Sequence, residues 1–237
     1  MEQYFQPNLP ESGSIQLGAD EERHLLKVRR ARVGDRFRCT DGKGKIAHVV
    51  IGAGKSSPGL YTIESVAEVS PALPDVHLAV AMPRQDARVE WMLEKAVELG
   101  ARQITPLLTE RGIHDRIRRE RLEKIMISAL KQSLSAYLPV LNEPCTLPGF
   151  LSLRHNQILL AHCYDSPKSP IGQLTLMPEV TLMIGPEGDF SENEVAHINE
   201  LPACNVTLGS LRLRTETAVL VALAHIRQNQ MCADSMK

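Results

Sequence analysis

At Ser70-Pro71-Ala72-Leu73-Pro74 the periodicity of the chain changes, and no other feature limits its fold as much. Each proline biases its predecessor toward extended backbone and gives no donor to a ladder or helix, so the stretch reads as a linker. Upstream, turn signals recur at short intervals: Asn8-Leu9-Pro10, Ser12-Gly13, Gly34-Asp35, Asp41-Gly42-Lys43-Gly44, and Gly52 through Gly59. β-Favouring runs lie between them at residues 36–40, 46–51 and 61–63. This predicts a small barrel or sandwich over residues 1–70, interrupted by one helix over residues 20–32 with Asp20 as its N-cap.

Downstream, short apolar runs alternate with helical patterns. Strands are predicted over residues 76–82, 104–108, 157–162, 180–184 and 204–208. Val89, Met92, Leu93, Ala96 and Leu99 share one helical face that stops at Gly100. Further helices are predicted over residues 116–135 and 191–200, the latter opened by a Ser191/Glu194 capping box. A last helix begins near Thr215 and is apolar nearly all round from Ala218 to Ile226, so either the sheet or a second subunit must bury it. Strands alternating with helices predict an α/β domain over residues 75–237, its mostly parallel sheet covered on both faces.

The 237 residues, 43% apolar and 23% charged, suit an ordinary globular protein with a small domain beside a larger one. Aromatics at 4% argue against a binder that stacks successive bases on aromatic platforms. Five scattered cysteines without a C-x-x-C pair suggest neither a disulfide framework nor a zinc site, and point to a reducing cytoplasm. Met1-Glu2-Gln3-Tyr4-Phe5 does not resemble a secretory leader and no apolar run reaches membrane-spanning length, so neither secretion nor membrane insertion is expected.

Net charge is −1, but the basic residues are clustered. Arg23, Lys27, Arg29, Arg30, Arg32, Arg36, Arg38, Lys43 and Lys45 face only Asp35 and Asp41 in their stretch. A second stretch holds Arg111, Arg116, Arg118, Arg119, Arg121, Lys124 and Lys131 against Asp115, Glu120 and Glu123. Two such runs in a balanced chain fit either a polyanion partner or solvated faces.

Gly54-Lys55-Ser56 resembles the end of a phosphate-binding loop, but the leading glycine would fall on Val49, so the segment reads as a hairpin turn. Ile184-Gly185-Pro186-Glu187-Gly188-Asp189-Phe190 is the stronger signal. It lies where a buried strand ends and a capped helix begins, which is where open α/β sheets bind ligands. A tight strand-to-helix turn alone would also need Gly and Pro. The next strand end reads Leu208-Gly209-Ser210-Leu211-Arg212-Leu213-Arg214-Thr215-Glu216-Thr217-Ala218. Thr215 or Thr217 can cap the last helix and Glu216 suits its positive end. Capping does not account for Arg214, which reads as a contact to an anion or a polar substrate edge.

Taken in order and spacing, Trp91 to Gly100, Thr109-Glu110-Arg111, Gln132-Ser133, Ile184 to Phe190 and Leu208 to Ala218 resemble the RsmE family. These are SPOUT-class methyltransferases acting on N3 of a uridine in 16S ribosomal RNA. The resemblance extends to His24 through Arg30 and to Gly34-Asp35, and so spans nearly the whole chain. It implies a PUA-like β-barrel followed by an α/β domain with a C-terminal trefoil knot, assembled as a cytoplasmic homodimer without metal or membrane. It also implies S-adenosylmethionine as cofactor, held by Leu160, Ala161, His162, Ile184, Gly185, Pro186, Glu187, Gly188, Leu208, Gly209, Leu211, Leu213, Thr215, Thr217 and Ala218. Arg23, Lys27, Arg29, Arg30 and Arg32 are the candidate RNA contacts, with free ribosomal RNA or the assembled 30S subunit as partner. The chain departs from the family at Leu211 (usually Arg), Leu134-Ser135 (Gly-Arg), Asp189 (Gly) and Arg84-Gln85 (Lys-Gly).

Methyl transfer from a sulfonium requires alignment rather than a metal, and N3 must lose its proton. A nearby cation favours the deprotonated base. Arg214 is therefore expected to anchor or stabilise the substrate, with Glu216 and Arg111 fixing the constellation. Arg111 as a phosphate contact is an equal reading, and Glu187 is either a base or a partner of neighbouring backbone. The alternatives are an inactive or weakly active rRNA-binding protein, and a SPOUT methyltransferase acting on another rRNA or tRNA base.

Overall fold

The computed structural model describes residues 1–53, 60–112, 117–153 and 157–234, with side chains through Asn229. Gly54-Lys55-Ser56, Asp115 and Arg116 lie outside the described residues. The chain divides into two compact units, Met1–Pro71 with Ile127–Leu138, and Ala72–Met126 with Pro139–Lys237.

The first unit is built on five strands: β1 (Gln3–Phe5), β2 (Ser14–Ile15), β3 (Arg36–Thr40), β4 (Lys45–Gly52) and β5 (Leu60–Glu68). Their order is β1-β3-β4-β5-β2, parallel between β1 and β3 and antiparallel elsewhere. Tyr4, Phe37 and Tyr61 stack edge to face at 5.3 and 5.8 Å in the core beside Leu25 and Val49. Residues 127–138 complete this unit. Gln3 donates from Nε2 to the carbonyls of Leu130 (3.2 Å) and Ser135 (2.7 Å), and the Thr40 hydroxyl donates to Ala136 O at 3.3 Å. Gly44, at φ +116°, admits Tyr137 so closely that a Cβ would lie 2.6 Å from its hydroxyl.

The helix expected over 20–32 is shorter and not uniform. α1 (Ala19–Arg23) is N-capped by Gly18 rather than Asp20, and Asp20 lies in its first turn. One π-helical turn, His24–Val28, follows, and the left-handed Arg30 (φ 54°) ends it. Only Leu25 of that turn is buried, so packing does not enforce a regular helix here.

In the second unit, β6 (Asp75–Val80), α2 (Asp86–Glu98), β7 (Gln103–Leu108) and α3 (Arg119–Gln132) come first. They are followed by β8 (Val140–Leu141), β9 (Cys145–Thr146), α4 (Leu147–Leu151), β10 (Ile158–Ala161) and β11 (Ser169–Pro170). β12 (Glu179–Ile184), α5 (Glu192–Asn199), β13 (Ala203–Thr207) and α6 (Thr215–Asp234) complete it. The sheet order is β11-β13-β10-β12-β6-β7-β8, with β9 paired to β7, and every pair is parallel. Strands buried on both faces explain the mostly apolar runs at Val76–Val80 and Val180–Ile184, each interrupted by one polar residue, His77 and Thr181. α2 buries Val89, Met92, Leu93, Ala96 and Val97. α6 buries Val219, Ala222, Leu223 and Ile226 completely, each of the three larger side chains contributing up to about 2–3 kcal/mol. Arg227 anchors that helix by donating to Leu99 O (2.9 Å) and Pro74 O (3.0 Å).

The registers Ala161↔Ile184 and Ala161↔Val206 set the carboxyl ends of β10, β12 and β13 level and side by side. Three loops therefore leave the sheet at one edge.

Candidate functional site

Those three loops enclose a cleft of about 650 Å³, within the range of small-molecule sites. After β10 come Ala161, His162 and Cys163, with Lys168 further along the same connection. After β12 the lining is Ile184, Gly185, Pro186, Glu187 and Asp189. From Val206 and Thr207 at the end of β13 it runs through Thr215 and ends at Ala218 in the first turn of α6. Of the residues expected to hold a cofactor, Leu160, Gly188 and Thr217 do not line the cleft. Leu160 is fully buried in the sheet beneath it. The sequence reading missed Cys163, Lys168, Asp189, Val206, Thr207, Ser210 and Arg212. No local signal marks Lys168 or Cys163; Asp189, Ser210 and Arg212 belong to the loops already singled out, and Val206 and Thr207 to the end of the strand expected before the second of them.

The loop after β12 folds back tightly on itself. A Cβ on Gly185 would sit 2.9 Å from Phe190 N, so glycine is required by close approach. Asp189, where the resembling family has glycine, keeps a left-handed backbone at φ 64°, a conformation aspartate tolerates better than most residues. Its carboxylate accepts from Phe190 N (2.8 Å) and Cys163 N (2.6 Å), tying the loop after β12 to the loop after β10. Ser191 and Glu194 form the expected capping box on α5, and Glu194 also accepts from Glu110 N at 2.9 Å.

Thr215 does something other than cap α6. Its buried hydroxyl donates to Gly185 O at 3.1 Å, joining the second and third loops. Arg88 of α2 forms a second tie, reaching Glu187 at 3.4 Å and Glu216 at 3.6 Å. Glu216 is 8% exposed, turns away from the cleft lining and leaves Oε2 buried without a partner.

Arg111 lies outside the cleft lining as well. Its Nη1 donates to Gly188 O (2.9 Å), Tyr164 OH (3.1 Å) and Phe190 O (3.4 Å), while Tyr164 OH donates to Phe190 O (2.9 Å). Its guanidinium therefore braces the Gly-Pro-Glu-Gly loop from behind. Arg214 is different: it is exposed, lines the cleft, and its guanidinium has no partner among the described residues. Arg212 shares both properties. Leu211, between Ser210 and Arg212, is 80% exposed.

His162 is the one histidine of the cleft. Its Nε2 bonds Asn205 Oδ1 of β13 at 3.2 Å and its Nδ1 is buried without a partner. Burial, and then the charge of Lys168, push its pKa below the ordinary histidine value. The Cys163 thiol is raised by burial and by Asp189, so it is not an activated thiolate.

In the first unit Arg23, Lys27, Arg30 and Arg32 are exposed, and their side chains carry no ion pair among the described residues. Arg29 pairs with Glu2 at 2.7 Å. Among the described residues no group of three or more His, Cys, Asp or Glu could hold a metal ion, and no helix is long and apolar enough to cross a membrane.

A parallel α/β sheet with a ligand-sized cleft at its strand ends, in a chain that also carries a small β unit with unpaired cations, defines a two-unit α/β protein with a small-molecule site and a surface able to attract a polyanion. Residues 71–227 match the RNA methyltransferase domain family and residues 17–58 match the RNA methyltransferase PUA domain; the chain belongs to this RNA methyltransferase family. It is 33% identical to the probable rRNA-methyltransferase of Porphyromonas gingivalis, covering 98% of this chain and 100% of that one with a TM-score of 0.87. Ribosomal RNA small subunit methyltransferase E of Neisseria gonorrhoeae, bound to S-adenosyl methionine, is 28% identical with a TM-score of 0.85, covering 96% and 97% of the two chains. The enzyme of the same name from Rickettsia conorii is 28% identical over 230 residues, 94% of this chain and 93% of that protein.

Proposed function

We propose that this chain methylates N3 of a uridine in 16S ribosomal RNA of the small subunit, using S-adenosylmethionine, as a cytoplasmic homodimer with a trefoil-knotted catalytic domain. One observation carries the reading: the unpaired Arg214 lines a cleft closed by the three level strand-end loops. The lining suits the cofactor. Ile184, Pro186, Leu208, Leu213 and Ala218 give apolar walls, backbone groups of the two glycine loops give polar contacts, and the orphaned His162 Nδ1 gives an acceptor.

When bound, the sulfonium supplies an electrophilic methyl and leaves as a neutral thioether. Arg214 favours the uracil in its N3-deprotonated form, because a cation beside the ring stabilises the anion. Arg88, Thr215 and Asp189 hold the loops at fixed separation, which is the alignment that an in-line transfer requires. Arg111 supports the loop after β12 through its carbonyls. Arg23, Lys27, Arg30 and Arg32 contact RNA phosphates. Leu220, Val221 and Ala224, half-buried along α6, support burial of that helix by a second copy.

The test is mass mapping of 16S rRNA from a deletion strain, paired with calorimetry of S-adenosylmethionine on the purified protein. A missing uridine methyl group that returns on complementation, together with binding, supports the reading. Binding without any methyl group lost from 16S rRNA would leave an rRNA-binding protein or an enzyme for another base.

A further inference from the structure

The cleft lining contains one buried side-chain polar atom with no hydrogen-bond partner among the described residues. His162 follows β10, is 8% exposed, and shares Nε2 with Asn205 Oδ1 at 3.2 Å. With the Asn205 oxygen facing the ring as acceptor, the tautomer that satisfies this contact carries its proton on Nε2 and leaves Nδ1 as a bare acceptor. It is buried without a partner among the described residues. A buried acceptor left unpaired is costly and rare in folded proteins, so its retention in a ligand-sized cleft needs a reason.

We propose that His162 Nδ1 is the cleft's receptor for a hydroxyl or amine donor of the bound cofactor, and that its neutral state gates cofactor binding. This rests on the reading of the cleft as an S-adenosylmethionine site. The chemistry required of the ligand is an O–H or N–H group reaching the end of β10. In that cofactor it comes either from the nucleoside or from the α-ammonium.

The charged and titratable groups facing the ring are Lys168 from the connection after β10, Asp189 from the loop after β12, and neighbouring Cys163, with Tyr164 tilted against it at 5.9 Å between ring centres. Arg212 lines the same cleft from the loop after β13. Burial, the largest influence, and Lys168 lower the pKa from 6.5; the Asn205 bond and Asp189 oppose them. The ring is therefore neutral at and above its ordinary pKa. Below the lowered pKa a proton on Nδ1 removes the acceptor and places a cation beside a cationic cofactor. The His162 contribution to affinity is thus flat at neutral and alkaline pH and falls as pH drops through the lowered value.

Two measurements test this on the full-length protein. Nitrogen-15 spectra of the histidine ring in the unliganded protein should show Nε2 protonated and Nδ1 bare, with the Nδ1 resonance shifting on addition of S-adenosylmethionine. Calorimetry should show His162→Phe binding S-adenosylmethionine about tenfold more weakly at pH 8, without the acid-side fall seen in the natural protein. Repeating the titration with 5′-methylthioadenosine, which lacks the amino acid, separates the two donors. An equal loss assigns the nucleoside, and no loss assigns the ammonium. A protonated Nδ1 in the free protein overturns the proposal, as does unchanged affinity in a folded His162→Phe. If the natural protein binds neither compound at any pH, the cofactor reading and this assignment fail together; binding that is indifferent to His162 fails the assignment alone.

Discussion

Both units carry a run of arginines and lysines, and they use them in different ways. In the first unit the side chains of Arg23, Lys27, Arg30 and Arg32 form no ion pair among the described residues, while Arg29, Arg36 and Lys45 pair with Glu2, Glu64 and Glu11. Among the described residues, the second run is spent within the chain with the exception of Lys124. Arg118 reaches Asp86, Arg119 reaches Glu123 and Glu143, Arg121 reaches Glu90, Lys131 reaches Glu21, and Arg111 holds three acceptors around the loop after β12. Basic residues already neutralised by neighbours gain little from a polyanion. Under the proposed function RNA attraction falls to the free set, whereas the paired set is held by carboxylates of the chain itself and Arg111 supports a loop, with Arg214 and Arg212 as the unpaired exceptions at the cleft.

The comparison breaks most visibly at Arg214. Replacing it with alanine should lower single-turnover methylation by about 10²- to 10³-fold, the scale for removing one charge-stabilising donor, with calorimetric affinity for S-adenosylmethionine nearly unchanged. Undiminished turnover would remove it from the chemistry. Gly185→Ala comes next. A Cβ pressed against Phe190 N forces the loop open, so thermal unfolding should show a loss of about 1–3 kcal/mol and cofactor affinity should fall with it.

Arg88→Ala is expected to weaken S-adenosylmethionine binding about fivefold, since Glu187 and Glu216 lose their shared cation and both pairs are long and partly solvated. RNA affinity should not change. The smallest effects sharpen the contrast between the two runs. Lys27→Ala and Arg30→Ala should each weaken RNA binding several-fold and reduce the salt slope by about one. Arg119→Ala, by contrast, should leave that slope alone. Filter binding across salt concentrations checks all three, and an equal response in Arg119→Ala would dissolve the distinction.

Much of the architecture was legible because its signals are local. The Ser191/Glu194 box, the apolar strand runs and the face of α2 each depend on residues a few positions apart, and each is present, the α2 face with Val97 buried in place of the expected Leu99. Helix ends were less legible, since the left-handed turns at Arg30 and Leu134 occur at residues with no glycine to announce them. The loops of the cleft were recognisable from Gly185 and Arg214, but the role of Thr215 was not. A threonine at a helix start reads as a cap until Gly185 O is seen 3.1 Å away.

By itself, then, the sequence determined two folding regimes on either side of Ser70–Pro74, a parallel sheet in the second, and the order of loops that carry a family's motifs. Tertiary structure alone decided which charges are free, that residues 127–138 complete the first unit, and that Arg88 ties Glu187 to Glu216. It also decided that Arg111 braces a loop and that His162 keeps an unpaired nitrogen in the cleft. The reason is separation along the chain. Periodicity and capping act over one or two turns, whereas the Arg88–Glu187 pair joins residues 99 positions apart and the Gln3–Ser135 bond joins residues 132 apart, distances over which only the packed fold sets which groups meet.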